Sequence, residues 1–286
     1  MKQIKNQLLL DERALFFGRD LNITDCTFDK GESPLKHSSN VTLSHCTFRW
    51  KYPLWYSQGA VLDNCNFAET ARSGVWYTHD ITMRNCTIDA PKTFRRASKI
   101  VLTNVSMPNA AETLWSCRDV TLKDVYTRGD YFGMNTENVT VTNLTLDGNY
   151  GFDGAQNVTI CDSRLDTKDA FWNCKNVTVR NSVIVGEYLG WNSRNLTFEN
   201  CTITSLQGLC YVDNLVLKNC RLVNTTLALE YSTVDADIDG SVDSIFNPSG
   251  GRICADYIGE LTIDKDRVDP KKTVVVCRGN KEEKTQ

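Results

Sequence analysis

A short phrase recurs along this chain: an apolar residue, a polar one, a second apolar residue, then a polar turn. It reads NVTLSHCTF, DITMRNCTI, NVTVRNSVI and NLTFENCTI at four of its positions. The first apolar residue falls at Leu21, Val41, Ala60, Ile81, Ile100, Val120, Val139, Val158, Val177, Leu196 and Leu215, always 19 to 21 residues apart. Two residues on stands another, from Ile23 to Leu217. Period-two alternation with β-branched residues predicts a short strand with one buried face. Four residues after the first apolar position come Asp25, His45, Asn64, Asn85, Asn104, Asp124, Asn143, Asp162, Asn181, Asn200 and Asn219. Asn and Asp accept left-handed backbone, so this column is a turn, and stacked copies can bond one another as a ladder.

A second inward pattern follows, with Cys26, Cys46, Cys65 and Cys86 two residues before Phe28, Phe48, Phe67 and Ile88. A third strand is expected around Leu35, Leu54, Val75, Phe94 and their equivalents, closed by small residues such as Ser38, Ser57 and Thr78. Three strands, two tight turns and one variable loop make one coil of a parallel β-helix. A leucine-rich repeat has a similar period. It would set Asn three residues after the second strand leucine rather than two, and needs a looser return segment.

The expected fold is therefore all-β: a single-stranded right-handed parallel β-helix of about eleven coils, one per apolar anchor, forming one domain over 1–286. Residues 1–18 are expected to cap the first coil, with Leu8, Leu9, Leu10, Leu15, Phe16 and Phe17 covering the open core. Regular coils run over 19–232, irregular ones over 233–277, and 278–286 reads as a flexible tail.

The column just after the third strand's apolar residue reads Lys36, Trp55, Trp76, Arg95, Trp115, Met134, Asp153, Trp172, Trp191, Cys210 and Glu230. Alternation points it outward; a strand-end bulge that flips the phase would instead make the column core. It holds every tryptophan except Trp50, which is in a loop. An outward aromatic stripe marks binding, and indole faces suit sugar rings. The expected substrate-binding set is Trp55, Trp76, Trp115, Trp172 and Trp191, joined by Arg96, Tyr131 and Asn135 from flanking positions.

Charge and composition narrow the chemistry. With 32 Lys+Arg against 35 Asp+Glu the net charge is −3, which gives no bulk attraction to nucleic acid or anionic lipid. No apolar run approaches a bilayer span, and the run Leu8–Leu10 before Asp11 is short for a signal peptide. The 12 Cys then read as reduced packing thiols, and the expected location is cytoplasmic. Only three His are present, so His-based catalysis or a zinc site is not expected. The candidate catalytic groups are carboxylates on successive coils, Asp130, Asp153, Asp169 and Glu187. Coil spacing sets such groups within the range glycosidases use. Arg95 would neutralise a carboxylate or an enolate-like charge. No cofactor is expected, although the same carboxylates are of the type that hold Ca²⁺.

The segments GESPLKHS, WKYPLWY, GVWYT, APKTFRRA, ETLWSC, GDYFGMN, DAFWNC and GEYLGWNS carry a resemblance. The chain resembles, from about Leu10 to about Ala255, a bacterial family classed as a domain of unknown function within the pectin-lyase-like right-handed β-helices. The resemblance implies the fold and transfers no catalytic residue. In the wider superfamily, sites lie on the outer face of one strand stack, similar in location to the Trp column. The carboxylate and histidine motifs that mark polygalacturonases are missing. Two functions are consistent with these features. One is a carbohydrate-active hydrolase or lyase acting on an oligosaccharide, or another small ligand, along the Trp column. The other is a non-catalytic β-helix that binds a glycan or a protein there.

Overall fold

The computed structural model describes residues 1–280. They form an all-β parallel β-solenoid, with helix confined to three short 3-10 turns. Contacts divide the chain into two compact units, Met1–Gly148 and the part from Asn149 onward.

In the first unit the phrase becomes a ladder of eight parallel strands, from Lys2–Lys5 and Arg19–Thr24 to Arg118–Arg128 and Glu137–Asp147. Like pairs with like: Leu21 lies opposite Val41, Val41 opposite Ala60, Ile81 opposite Ile100, and Val120 opposite Val139. The second unit repeats this over seven strands, with Val158, Val177, Leu196, Leu215 and Val234 in register. The described residues thus supply fifteen rungs, eight in the first unit and seven in the second, rather than about eleven. The additional ones come from both ends, where the phrase is degraded.

Residues 1–18 are a coil in their own right. Lys2–Lys5 pairs with the Arg19–Thr24 strand and Leu8–Leu9 pairs with Thr27–Phe28. They do not cap the core as expected: Leu8, Leu10, Phe16 and Phe17 are exposed. At the other end Arg278, assigned by sequence to a flexible tail, is held by Asp237 at 2.6 Å and Asp256 at 2.7 Å. The remainder of that expected tail, 281–286, lies outside the described residues.

The turn column behaves as its chemistry dictates. Asn64, Asn85, Asn104, Asp124 and Asn143 all have φ between 52 and 56°. Their amides bond coil to coil, with Asn104 donating to Asn85 at 2.8 Å and Asn143 to Asp124 at 2.7 Å. The second unit does the same through Asn181, Asn200 and Asn219. A second left-handed column, one residue before the apolar anchor, makes another ladder: Asn176 donates to Asn157, Asn195 to Asn176 and Asn214 to Asn195.

Inside the first unit, Phe28, Phe48 and Phe67 stack with centroids 4.7 Å apart, the strand spacing itself. Cys26, Cys46, Cys65 and Cys86 are buried beside them, and their thiols donate to backbone carbonyls such as Ser44 O and Asp63 O. These are packing thiols. The third face departs from expectation. Only Val75–Trp76 and Phe94–Arg95 are strands there, and most coils cross it as turns. The residue after the Trp column is left-handed in nearly every coil, which redirects the chain before the next strand begins.

Candidate functional site

Of the two placements that alternation allowed, the Trp column takes the outward one: Trp55, Trp76, Trp115, Trp172 and Trp191 are all half-buried and none is in the core. Cys210 is the exception to the outward parity. It is fully buried, and desolvation pushes its thiol up to about 12.

The indoles do not present their faces to solvent. In the first unit Trp55 and Trp76 stack at 5.3 Å with planes 7° apart. The Arg95 guanidinium lies 4.7 Å from the Trp76 ring and 4.5 Å from the Trp115 ring. Trp115 in turn stacks on Tyr131 at 6.4 Å, and Lys36 covers Trp55 at 5.8 Å. The ladder therefore fills each ring face with a neighbour from the next coil, and only ring edges look outward. The indole N–H groups are engaged too. Trp76 donates to Lys92 O at 2.7 Å, and Trp55 donates to Ser73 O. The row is a buttress tied to the loops of the following coil.

Beside it runs the flanking column, from which sequence supplied Arg96 and Asn135 to the binding set; its N-terminal part is a second aromatic row. Phe17, His37, Tyr56 and Tyr77 stack in succession at 5.1, 5.1 and 4.8 Å, with planes within 20° of parallel. Phe17 is 56% exposed and Tyr56 44%, more than any tryptophan of the ladder, whereas His37 and Tyr77 are half-buried as the tryptophans are. Each member has φ between 55 and 58°, a costly conformation for bulky residues, and it turns the side chains outward. The signal was in the sequence: these residues follow the repeat register, each four positions before a strand anchor. Arg96 continues the row, exposed and without an ion pair among the described residues. Asn135 lies further along, also exposed.

The flanking loops form a row of paired charges. Lys51 meets Glu32 at 3.1 Å. Glu112 is shared by Lys92 at 3.0 Å and Arg95 at 3.1 Å. Arg95, expected to face a substrate, is instead held by two rings and a carboxylate. Asp130 is an exposed residue of the first unit, whereas the other three candidate carboxylates belong to the second.

In the second unit Trp172 and Trp191 stack at 5.9 Å, and both donate to next-coil carbonyls, Tyr188 O at 2.6 Å and Gln207 O at 3.0 Å. Asp153 accepts from Asn173 at 2.9 Å, and Asn173 accepts from Asn192 at 2.8 Å. Glu187 is paired with Lys168 at 2.9 Å. Asp169 is different, with a relative exposure of 4%. Burial raises its carboxyl above the ordinary range, against the opposing pull of the Lys168 charge and the hydrogen bond from Tyr150. Among the described residues no three His, Cys, Asp or Glu side chains converge as a bound metal would need. No helix among them is long and apolar enough to cross a membrane.

Residues 2–276 match the family described as "Protein of unknown function (DUF3737)". The chain belongs to this family. No curated protein matches it. Among solved structures the DUF3737 chain is similar to a mutant tailspike protein of E. coli bacteriophage HK620 in complex with a pentasaccharide. That likeness has 13% identity and a TM-score of 0.30, covering 92% of this chain and 60% of that one. It is also similar to the Streptococcus pneumoniae surface protein and adhesin PfbA, at 11% identity and TM-score 0.36, covering 95% and 80%. A third is QnrB1, a plasmid-mediated fluoroquinolone resistance protein, at 12% identity and TM-score 0.25, covering 78% and 94%. The DUF3737 chain thus spans 60% of the tailspike's length.

Proposed function

We propose that this DUF3737 protein is a non-catalytic β-solenoid that docks a protein partner on the aromatic surface of its first unit. The observation that carries this reading is the stacked row Phe17, His37, Tyr56 and Tyr77, exposed at Phe17 and Tyr56 and half-buried at His37 and Tyr77, backed by the stacked Trp55 and Trp76. Rigid, pre-stacked Tyr and Phe side chains offer large contact area at small entropic cost, and clustered aromatics with Arg are the composition of interface hot spots. A sugar needs an open ring face, and here neighbouring rings and cations fill the faces of Trp55 and Trp76. Acid–base catalysis needs a carboxylate free to move a proton, and Glu112 and Glu187 are bound to cations.

The test is a panel of Tyr56→Ala, Tyr77→Ala and Phe17→Ala. Each is expected to keep the fold and weaken partner binding at least tenfold. Binding of a defined oligosaccharide that survives all three substitutions would remove the proposal.

A second reading keeps one observation of its own. Asp169 is a buried carboxyl with a raised affinity for its proton, on the same unit as Trp172, Trp191 and Asp153. That is the state of a general acid in a glycoside hydrolase. On this reading an oligosaccharide is cleaved at the second unit, and Asp169→Asn abolishes turnover. Turnover unchanged in that variant sinks it.

A further inference from the structure

The spacing between Ala60 and Ile81 is 21 residues, the longest in the regular series. The extra length is used by a 3-10 turn at Glu69–Ala71. This turn, the loop before it in the preceding coil and Pro91 from the next coil line a cavity of about 380 Å³ that is open to solvent on one side. It is lined by Trp50, Lys51, Glu69, Thr70, Arg72 and Pro91. Trp50 is the tryptophan that stands apart from the ladder, and it is half-buried.

Three groups in this cavity are idle. The Trp50 indole N–H, the Glu69 carboxylate and the Arg72 guanidinium have no hydrogen-bond or ion-pair partner among the described residues; Trp50 is half-buried, and the two charges stand exposed at the rim, open to a ligand. Glu69 and Arg72 are opposite charges three residues apart on a tight turn, where side chains ordinarily meet. Here they do not pair. Lys51 is the only lining charge already engaged, with its Nζ 3.1 Å from Glu32 and 5.0 Å from the Trp50 ring centre.

We infer that this cavity binds a nucleoside monophosphate. The assignment follows from what each group recognises. A flat base stacks on an indole, the guanidinium fork grips a phosphate with the nearby ammonium adding charge, and a carboxylate accepts from ribose hydroxyls. The cavity offers one of each, in a volume of the size that holds small ligands. The site is separate from the docking row, so either proposal stands without the other.

Titration calorimetry of the full chain with AMP, adenosine, ribose 5-phosphate and inorganic phosphate tests it. AMP is expected to bind one saturable site, with adenosine and ribose 5-phosphate each at least tenfold weaker. Trp50→Ala, Arg72→Ala and Glu69→Gln should each weaken AMP at least tenfold, with unchanged circular dichroism because none of the three side chains has a hydrogen bond or ion pair to lose and Trp50 gives up only its cation–π contact with Lys51. No saturable AMP binding overturns the inference, as does wild-type affinity in all three variants. Inorganic phosphate binding as tightly as AMP overturns it too, by reducing the cavity to an anion site.

Discussion

Replacing Trp76 with alanine tests whether the tryptophan row is structural support or contact surface. The substitution removes the stack on Trp55 at 5.3 Å, the cation–π contact with Arg95 at 4.7 Å and the hydrogen bond to Lys92 O at 2.7 Å. Apolar area buried by a half-covered indole is worth about 2 kcal/mol. The two ring contacts add about 0.5–1 kcal/mol each, and the hydrogen bond about 1 kcal/mol. These contributions overlap, because one surface supplies both area and stacking, so the expected loss is about 3 kcal/mol. Urea unfolding followed by circular dichroism reads it, with an unchanged slope showing that the native state stays compact. Tyr77→Ala is the control. Its ring stacks on Tyr56 at 4.8 Å and its hydroxyl donates nothing within the fold, so the expected loss is about 1 kcal/mol. A Trp76→Ala loss below about 1 kcal/mol, or equal losses for the two variants, would refute the division into buttress and surface.

Four further outcomes follow from the same geometry. With Asp169, the folded state holds the proton more tightly than the unfolded chain, so stability falls as pH rises from the ordinary carboxylate range through the raised folded value. Asp169→Asn should flatten that slope in a pH series of melting curves. Glu199 has the opposite sign. The Arg180 contact at 2.6 Å and the Lys218 contact at 3.1 Å hold its carboxyl below the usual range, so their contribution is lost on acidification, and Glu199→Gln should remove that acid dependence. Asn200 sits at φ 53°, so Asn200→Gly should be milder than Asn200→Ala by about 1 kcal/mol in chemical denaturation. Of the 12 thiols only Cys161 and Cys277 are not buried, so a thiol reagent should titrate two quickly in the native protein and the rest on unfolding.

Much of this fold is written in the sequence because a solenoid repeats one decision many times. Strand register at Val120 and Val139, the left-handed Asn column and the inward Phe28–Phe48–Phe67 stack all follow from local chemistry that a column of like residues makes unambiguous. The first coil was missed because Lys2–Lys5 carries one inward residue, Ile4, where the phrase expects two; the C-terminal rungs fall within 233–277, where irregular coils were expected. The third face was misread as strand because its short apolar segments fit either state, and only the left-handed residue after each tryptophan closes the turn. Outward placement of the tryptophans was legible from parity, but ring orientation was not. Whether an indole lies flat or stacks edge-out depends on what the neighbouring coil places beside it. Arg95 between Trp76 and Trp115 sets that arrangement, and it could not be seen one row at a time. Tyr56 and Tyr77 were legible as a column flanking the tryptophans, but Phe17 and His37 were not joined to it, because the row carries no shared residue type.

The docking claim is tested most directly by site-specific photo-cross-linking in the native host, with a benzophenone side chain placed at Tyr56. One discrete protein adduct is expected, lost when Tyr77→Ala is added and missing when the probe is moved to the exposed Arg118. No adduct at position 56, or one that is indifferent to Tyr77→Ala, would contradict it.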